Sequence, residues 1–305
     1  MSEGISVIVP TLNAKMVLNA LVASLRCQAT LPFEIIVIDS ESTDCTHDIA
    51  QELDCEVLSL SRNEFNHGRT RNLAAVHAQS EILVFMTQDA LPGGQFFLSN
   101  LIEPIISGKA VASYARQIAK PDASKRETYF RSFSYPEQSE LRNRESLMKG
   151  GVRAAMFSNV ASAIRRDVFF QVGMFDEQVI MNEDMLLCTR LLQNGYSVSY
   201  AADAVVYHSH SYNLRQIFSR YFDIGVFFSR HMNNCACTNV SSRGISYMLG
   251  LFKYLVRDNA WKELFMSVLE IIVKFIGFYF GKLEIYLPIL WKTRFSMHKN
   301  YWKIS

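Results

Sequence analysis

The strongest constraint on this chain is an alternation in its first part. Short apolar runs at residues 5–9, 34–38, 55–60 and 82–86 are separated by segments of helical spacing at 18–25, 45–53 and 69–78. Runs that are apolar on both sides belong inside a parallel sheet covered by helices on both faces. In such sheets, ligands bind in the crevice at the carboxyl ends of the strands. The residues that follow each run are therefore the first place to look for chemistry.

Those residues are polar or acidic. The first run ends in Pro10-Thr11-Leu12-Asn13, the second in Asp39-Ser40-Glu41-Ser42-Thr43-Asp44 and the fourth in Thr87-Gln88-Asp89-Ala90. Neither GxGxxG nor GxxxxGK[ST] occurs, so dinucleotide and P-loop readings lose their main support. Asp39, at the end of a buried run, is placed to accept hydrogen bonds from a nucleobase. The alternative of helix capping fits Ser42, Thr43 or Asp44 better. An ionised Asp89 beside a buried strand is costly unless it is paired or metal-bound. A hard oxygen there suits Mg²⁺ or Mn²⁺, and a turn before Pro92 is the alternative.

Glu183-Asp184 precedes an apolar-periodic helix over 185–193. One of the two acids can favour the helix N-terminus while the other faces a cleft as a general base, and Asp184 is the candidate base. His208 and His210 follow a short strand at a spacing of two and share one face, where they could complete a metal site or bind phosphate. The stretch Phe65-Asn66-His67-Gly68-Arg69-Thr70-Arg71-Asn72 enters a helix. Its His67, Arg71 and Asn72 could hold a diphosphate or sugar hydroxyls, or simply form a solvated basic face.

The rest of the sequence sets limits. Charged residues make up 20% of the 305 and the net charge is +2, which argues against disorder and gives no reason to expect nucleic acid. From residue 250 onward nine Lys and Arg face four acids, so this tail carries +5 and the remainder −3. Six cysteines without a CxxC pair read as reduced, buried thiols. The first residues show no secretory signal pattern. The apolar stretch 264–290 is broken by Glu270, Lys274, Lys282 and Glu284, which predicts a segment lying on an apolar surface rather than spanning a bilayer. Residues 121–151 are polar and read as a long mobile connection.

Taken together, Val7-Ile8-Val9-Pro10-Thr11-Leu12-Asn13, Ile38-Asp39-Ser40-Glu41-Ser42-Thr43-Asp44, Asp89 and Glu183-Asp184 resemble the family 2 glycosyltransferases of GT-A fold. The stretches 65–72, 87–92 and Tyr207-His208-Ser209-His210-Ser211-Tyr212 resemble the rhamnosyltransferase branch that builds bacterial O-antigen and other surface polysaccharides. The resemblance covers roughly residues 4–215 and implies a Rossmann-like α/β fold, with a mostly parallel central sheet, helices on both faces and a C-terminal helical segment. Beyond roughly residue 214 the pattern becomes helical, aromatic-rich and basic, which divides the chain into a catalytic domain, 1–215, and a region, 216–305, for membrane association or oligomerisation.

The implied activity is inverting transfer of L-rhamnose from dTDP-L-rhamnose to a lipid-linked saccharide. A UDP- or GDP-sugar donor and a silent glycan-binding scaffold are the alternatives. Pro10, Thr11, Asn13, Asp39, Arg71, Asn72, Gln88 and Asp89 would bind the donor, Asp89 with His208 a divalent metal (Mg²⁺ or Mn²⁺), and Asp184 the acceptor proton. Glu183, His67 and His210 are further candidates. The family's DXD motif is here Thr87-Gln88-Asp89, with a single acid. The implied partners are the donor, a polyprenyl-diphosphate-linked acceptor, the inner face of the plasma membrane approached from the cytoplasm, and a possible second copy of the chain. In the tail, Phe265, Ile271, Ile272, Phe275, Phe278 and Tyr279 recur near helical spacing among Lys274 and Lys282, which suits an interfacial helix or one packed on protein.

Overall fold

The alternation is realised strand by strand. In the computed structural model, which describes residues 4–150, 153–231 and 240–304, the chain begins β1 (Ile5–Thr11), α1 (Leu18–Arg26), β2 (Glu34–Asp39), α2 (Thr46–Glu52), β3 (Glu56–Ser59), α3 (His67–His77) and β4 (Ile82–Met86). It continues through β5 (Leu91–Pro92), α4 (Phe97–Ile106), β6 (Ala112–Ile118), α5 (Lys125–Ser134), β7 (Glu140–Arg142), α6 (Arg144–Gly150), β8 (Ala161–Arg165), α7 (Arg166–Gln171), α8 (Glu183–Gln193) and β9 (Val198–Tyr207). The C-terminal helices are α9 (Leu214–His231), α10 (Val240–Arg257), α11 (Trp261–Lys282), α12 (Ile289–Phe295) and α13 (Tyr301–Ile304).

One nine-stranded sheet organises these elements in the order β3-β2-β1-β4-β8-β6-β9-β5, with β7 also paired to β9. The four strands at the β3 end are mutually parallel. β8 then runs antiparallel to both β4 and β6, so the sheet is mixed beyond that point. The period-two side-chain rule divides the core between the two faces. Val7 and Val9 pack with Leu21 and Leu25 of α1 and Leu101 of α4, while Ile8, Ile36 and Ile38 pack with Ala74 of α3 and Leu187 and Leu191 of α8. Parallel β1, β2 and β4 thus bring Thr11, Asp39 and Thr87 to one edge.

Residues 121–151 are not the mobile connection expected. They hold α5, β7 and α6. Ser124 caps α5 by accepting the Glu127 N–H at 3.3 Å. Arg126 pairs with Glu263 and Glu270 of α11, and Lys125 with Asp258. The helix escaped a pattern reading because it is fastened by ion pairs, which leave no apolar period.

Within 264–290, the charges expected to break the apolar run do not break the helix. α11 is one continuous helix, long and apolar enough by length and composition to cross a membrane, with a mean hydropathy of 1.8 over its best window. Glu270 and Lys274 do not interrupt it, because both turn inward: Glu270 meets Arg126, and the Lys274 ammonium lies 5.6 Å from the Tyr221 ring centre. Gly277 and Gly281 are buried where α11 crosses α9 at Gly225. A Cβ on Gly281 would strike the Phe222 carbonyl and one on Gly277 the Phe218 carbonyl, so this small-xxx-small face is what permits the crossing. A third apolar cluster joins Val179, Ile180 and Met181 to Phe222, Val226 and Phe227 of α9 and to Trp302.

Of the cysteines, Cys188 is buried, Cys55 is half-buried, and Cys27 and Cys45 are exposed, which corrects the expectation of buried thiols; these four are free. Cys235 and Cys237 lie outside the described residues.

Candidate active site

Two cavities meet at the carboxyl edge of the sheet. One, of about 1430 Å³, is walled by Pro10, Thr11, Ser40, Arg62 and Gln88. The other, of about 830 Å³, holds Asp89, Glu183, Asp184, His208 and His210. His67, Arg71, Thr87, Tyr212, Met297 and His298 line both.

In the smaller cavity, Asp89, His208 and His210 converge, and their ligand atoms lie within 4.8 Å of one another. His208 Nε2 is 3.4 Å and His210 Nδ1 3.9 Å from Asp89 Oδ2. Burial alone would raise the Asp89 pKa, but the two imidazoles win and hold it well below the usual carboxylate range. Burial pushes both histidines down, His210 to about 4. The result is a charged carboxylate beside two neutral imidazoles at neutral pH.

Gln117, at the end of β6 and buried, fixes the His208 tautomer. Its Oε1 stands 3.1 Å from His208 Nδ1 and also accepts from Arg131, while its Nε2 donates to Tyr135 Oη at 2.7 Å and Ser158 Oγ at 2.8 Å. A Gln oxygen only accepts, so Nδ1 carries a proton, and Nε2 is the nitrogen turned toward Asp89. These residues fit a divalent metal, with Gln117 as the outer partner that orients a ligating imidazole.

Glu183 and Asp184 divide their work. Asn182, in the left-handed region at φ 61°, leads into α8 and presents them. Glu183 is spent on structure: its Oε1 accepts from Arg71 at 3.1 Å and from Asn159 Nδ2 at 3.2 Å, all buried. Among the described residues, Asp184 accepts the backbone N–H groups of Asn159 (3.2 Å) and Met185 (2.8 Å) and no side chain. Burial, reinforced by the Glu183 charge, pushes its pKa up to about 7. A carboxylate poised there can take a proton at neutral pH.

The other expected residues fall in different places. Gln88 lines the larger cavity and clasps the Leu12 backbone, accepting its N–H at 2.8 Å and donating to its carbonyl at 3.2 Å. Asp39 is buried with both oxygens engaged, by Thr11 Oγ1 at 3.1 Å and the Ser42 N–H at 3.0 Å; Ser40 is the neighbour that faces the cavity. Asp44 binds the Lys15 N–H at 3.1 Å and the Thr46 N–H at 3.3 Å, as a capping residue does. Asn13 is exposed and accepts the Thr43 N–H at 2.9 Å. Asn72 is buried behind the site, its amide tied to both polar groups of the Phe175 backbone. Sequence reasoning missed Gln117, Asn159, Arg220 and His298. Only Gln117 had a usable signal, a polar residue near the end of a strand.

The family model described as glycosyl transferase family 2 matches residues 6–173, more than half of the chain. The O-antigen chain rhamnosyltransferase RfbN of Salmonella typhimurium is 32% identical, with 98% of this chain and 96% of that protein covered. The O-antigen chain rhamnosyltransferase WbaN of Salmonella anatum is 35% identical, covering 97% and 95%. Among solved structures, the mannosyltransferase PcManGT of Pyrobaculum calidifontis, in complex with GDP-Man and Mn²⁺, shares the fold with a TM-score of 0.60 at 17% identity, covering 100% of this chain and 87% of that one. Because the family model spans most of the sheet and its strand ends, and two full-length relatives exceed 30% identity, this chain belongs to glycosyltransferase family 2.

Proposed function

We propose that this glycosyltransferase moves L-rhamnose from dTDP-L-rhamnose to a hydroxyl of a lipid-linked saccharide in O-antigen or surface polysaccharide synthesis, with inversion at the anomeric carbon. The observation that carries the reading is the placement of Asp184 and the Asp89–His208–His210 cluster in one cavity of a chain related end to end to two rhamnosyltransferases. The donor's nucleoside lies in the larger cavity along Pro10, Thr11 and Ser40, and its sugar points past the neck toward Asp184. Asp184 takes the proton of the acceptor hydroxyl as that oxygen attacks the anomeric carbon. Direct attack by the acceptor inverts the centre and expels the nucleoside diphosphate.

Asp89, His208 and His210 would hold a divalent cation, which supplies positive charge against the leaving diphosphate. Two imidazoles and one carboxylate are softer than the all-oxygen shell Mg²⁺ prefers, which favours Mn²⁺. Gln117→Leu keeps the three ligands and removes their support. It should weaken Mn²⁺ binding by about 10- to 100-fold in an EPR titration; unaltered affinity would remove Gln117 from the site's design.

The catalytic unit, 1–215, works beside a helical region, 216–305, that rests on a membrane surface at its cytoplasmic side. Phe265, Ile272, Phe275 and Tyr279 of α11 are 49–64% exposed, and Leu290 and Trp291 of α12 extend the patch. Asp258, Glu263, Glu270 and Glu284 are paired with cations, whereas Lys253, Arg257, Lys262 and Lys282 are exposed without a carboxylate partner among the described residues. An uncharged face with a basic border suits an anionic lipid surface. Lying on the surface keeps α9, packed along the inner side of α11 with its arginines, out of hydrocarbon. Phe265→Ser/Phe275→Ser should cut co-flotation with anionic vesicles about tenfold or more while transfer to a water-soluble acceptor persists. Full vesicle binding by the double variant would place the contact elsewhere.

A further inference from the structure

After α12 the chain turns back toward the catalytic sheet. Residues 296–302 form a strap fastened at both ends. Asp223 of α9, fully buried, accepts the Met297 N–H at 2.9 Å. Trp302 is 3% exposed, with Arg230 at 5.2 Å and Lys292 at 5.3 Å from its ring centre. On the sheet side, Asn300 Nδ2 donates to the Arg62 carbonyl at 3.3 Å, and the His298 ring stands edge-on to His67 at 4.9 Å.

Met297 and His298 line both cavities, and Lys299, Asn300 and Tyr301 line the larger one together with Pro10, Thr11 and Ser40. The neck is where a donor's diphosphate must pass if the nucleoside lies on one side and the reacting carbon on the other. Its arginine, Arg71, is already offset by Glu183. Lys299 is exposed and has no carboxylate within salt-bridge distance among the described residues. His298 is held neutral by burial, by His67 and by Arg220, its pKa pushed down to about 3, so it offers an N–H rather than a charge.

We propose that residues 296–302 are a wall of the donor site, with His298 and Lys299 contacting the diphosphate of the nucleotide-sugar and Asp223 acting as the positioning residue that holds them there. This rests on the donor reading above. It assigns donor recognition to a segment more than 200 residues from the strand ends that build the opposite wall.

Calorimetric titration of the full chain with dTDP, UDP and dTMP, in Mn²⁺, tests it. Lys299→Ala and His298→Ala should each weaken dTDP binding by about tenfold, the scale of one charge-assisted hydrogen bond, and dTMP binding much less. Asp223→Ala should show the same selective loss, and Asp223→Asn, which keeps an acceptor for the Met297 N–H, should recover most of it. Wild-type dTDP affinity in Lys299→Ala and His298→Ala would overturn the assignment. So would a raised acceptor KM with donor affinity unchanged, because the strap would then serve the acceptor side. If the wild-type chain bound neither dTDP nor UDP, the donor reading itself would fall and this inference with it.

Discussion

Asp184→Asn lowers kcat by about 10³-fold, within the range for loss of a general base, and leaves dTDP-rhamnose binding near its wild-type value. The substitution keeps the shape of the side chain and an acceptor for one of the N–H groups of Asn159 and Met185. It removes the ability to take a proton and one of the two acceptors. Because burial and the Glu183 charge lift the Asp184 pKa to about 7, wild-type activity should rise with pH through that region as the carboxyl ionises, and the variant should lack this limb. The stability effect has the opposite sense. Between its ordinary value of 3.8 and about 7, folded Asp184 holds a proton that the unfolded chain releases, so its burial costs stability as pH rises through that window. Asp184→Asn removes that cost and should melt no lower than wild type at pH 8. A pH–rate profile with single-turnover kinetics and a melting curve checks all three points. Retained turnover would strip Asp184 of its role, and a collapsed melting temperature would reduce the rate loss to misfolding.

Asp89→Ala is the second large effect. The carboxylate is the only charged member of its cluster, so it supplies the negative charge a divalent cation needs. Its removal should abolish the tight Mn²⁺ signal and lower kcat/KM by about 10²- to 10³-fold, the scale of a lost electrostatic contact to a leaving group. Gln88→Ala serves as the comparison: it frees the Leu12 backbone but leaves the cluster whole, so it should change donor KM more than metal affinity. An Asp89→Ala protein that titrates Mn²⁺ like wild type would mean that the cluster is structural.

The parts of the molecule that were legible in its sequence share a physical cause. β1, β2 and β4 are buried on both faces, so their residues form near-continuous apolar runs, and the polar residues that end them lie where parallel strands must place a ligand. His208 and His210 were legible through the period of a strand. Ion pairs and long returns leave no such pattern. α5 is held by Arg126 to two glutamates far along the chain, so its sequence looks like a solvated loop. Gln117 works through Arg131, Tyr135 and Ser158, and His298 through Asp223, partners that only the folded chain brings near. Asp39 and Asn72 show the converse. A polar residue at a strand end or helix start is equally suited to tying loops together, and Asn72 grips the Phe175 backbone for that purpose.

The most direct test of the whole account is release of nucleoside diphosphate from dTDP-rhamnose, measured with Mn²⁺ and then with EDTA, in the presence of a lipid-linked or short synthetic saccharide acceptor. The account predicts turnover that requires the metal, depends on acceptor and yields the inverted linkage. Turnover confined to UDP- or GDP-sugars would contradict the donor, undiminished turnover in EDTA would contradict the Asp89–His208–His210 site, and a retained anomeric configuration would contradict Asp184 as the base of a direct displacement.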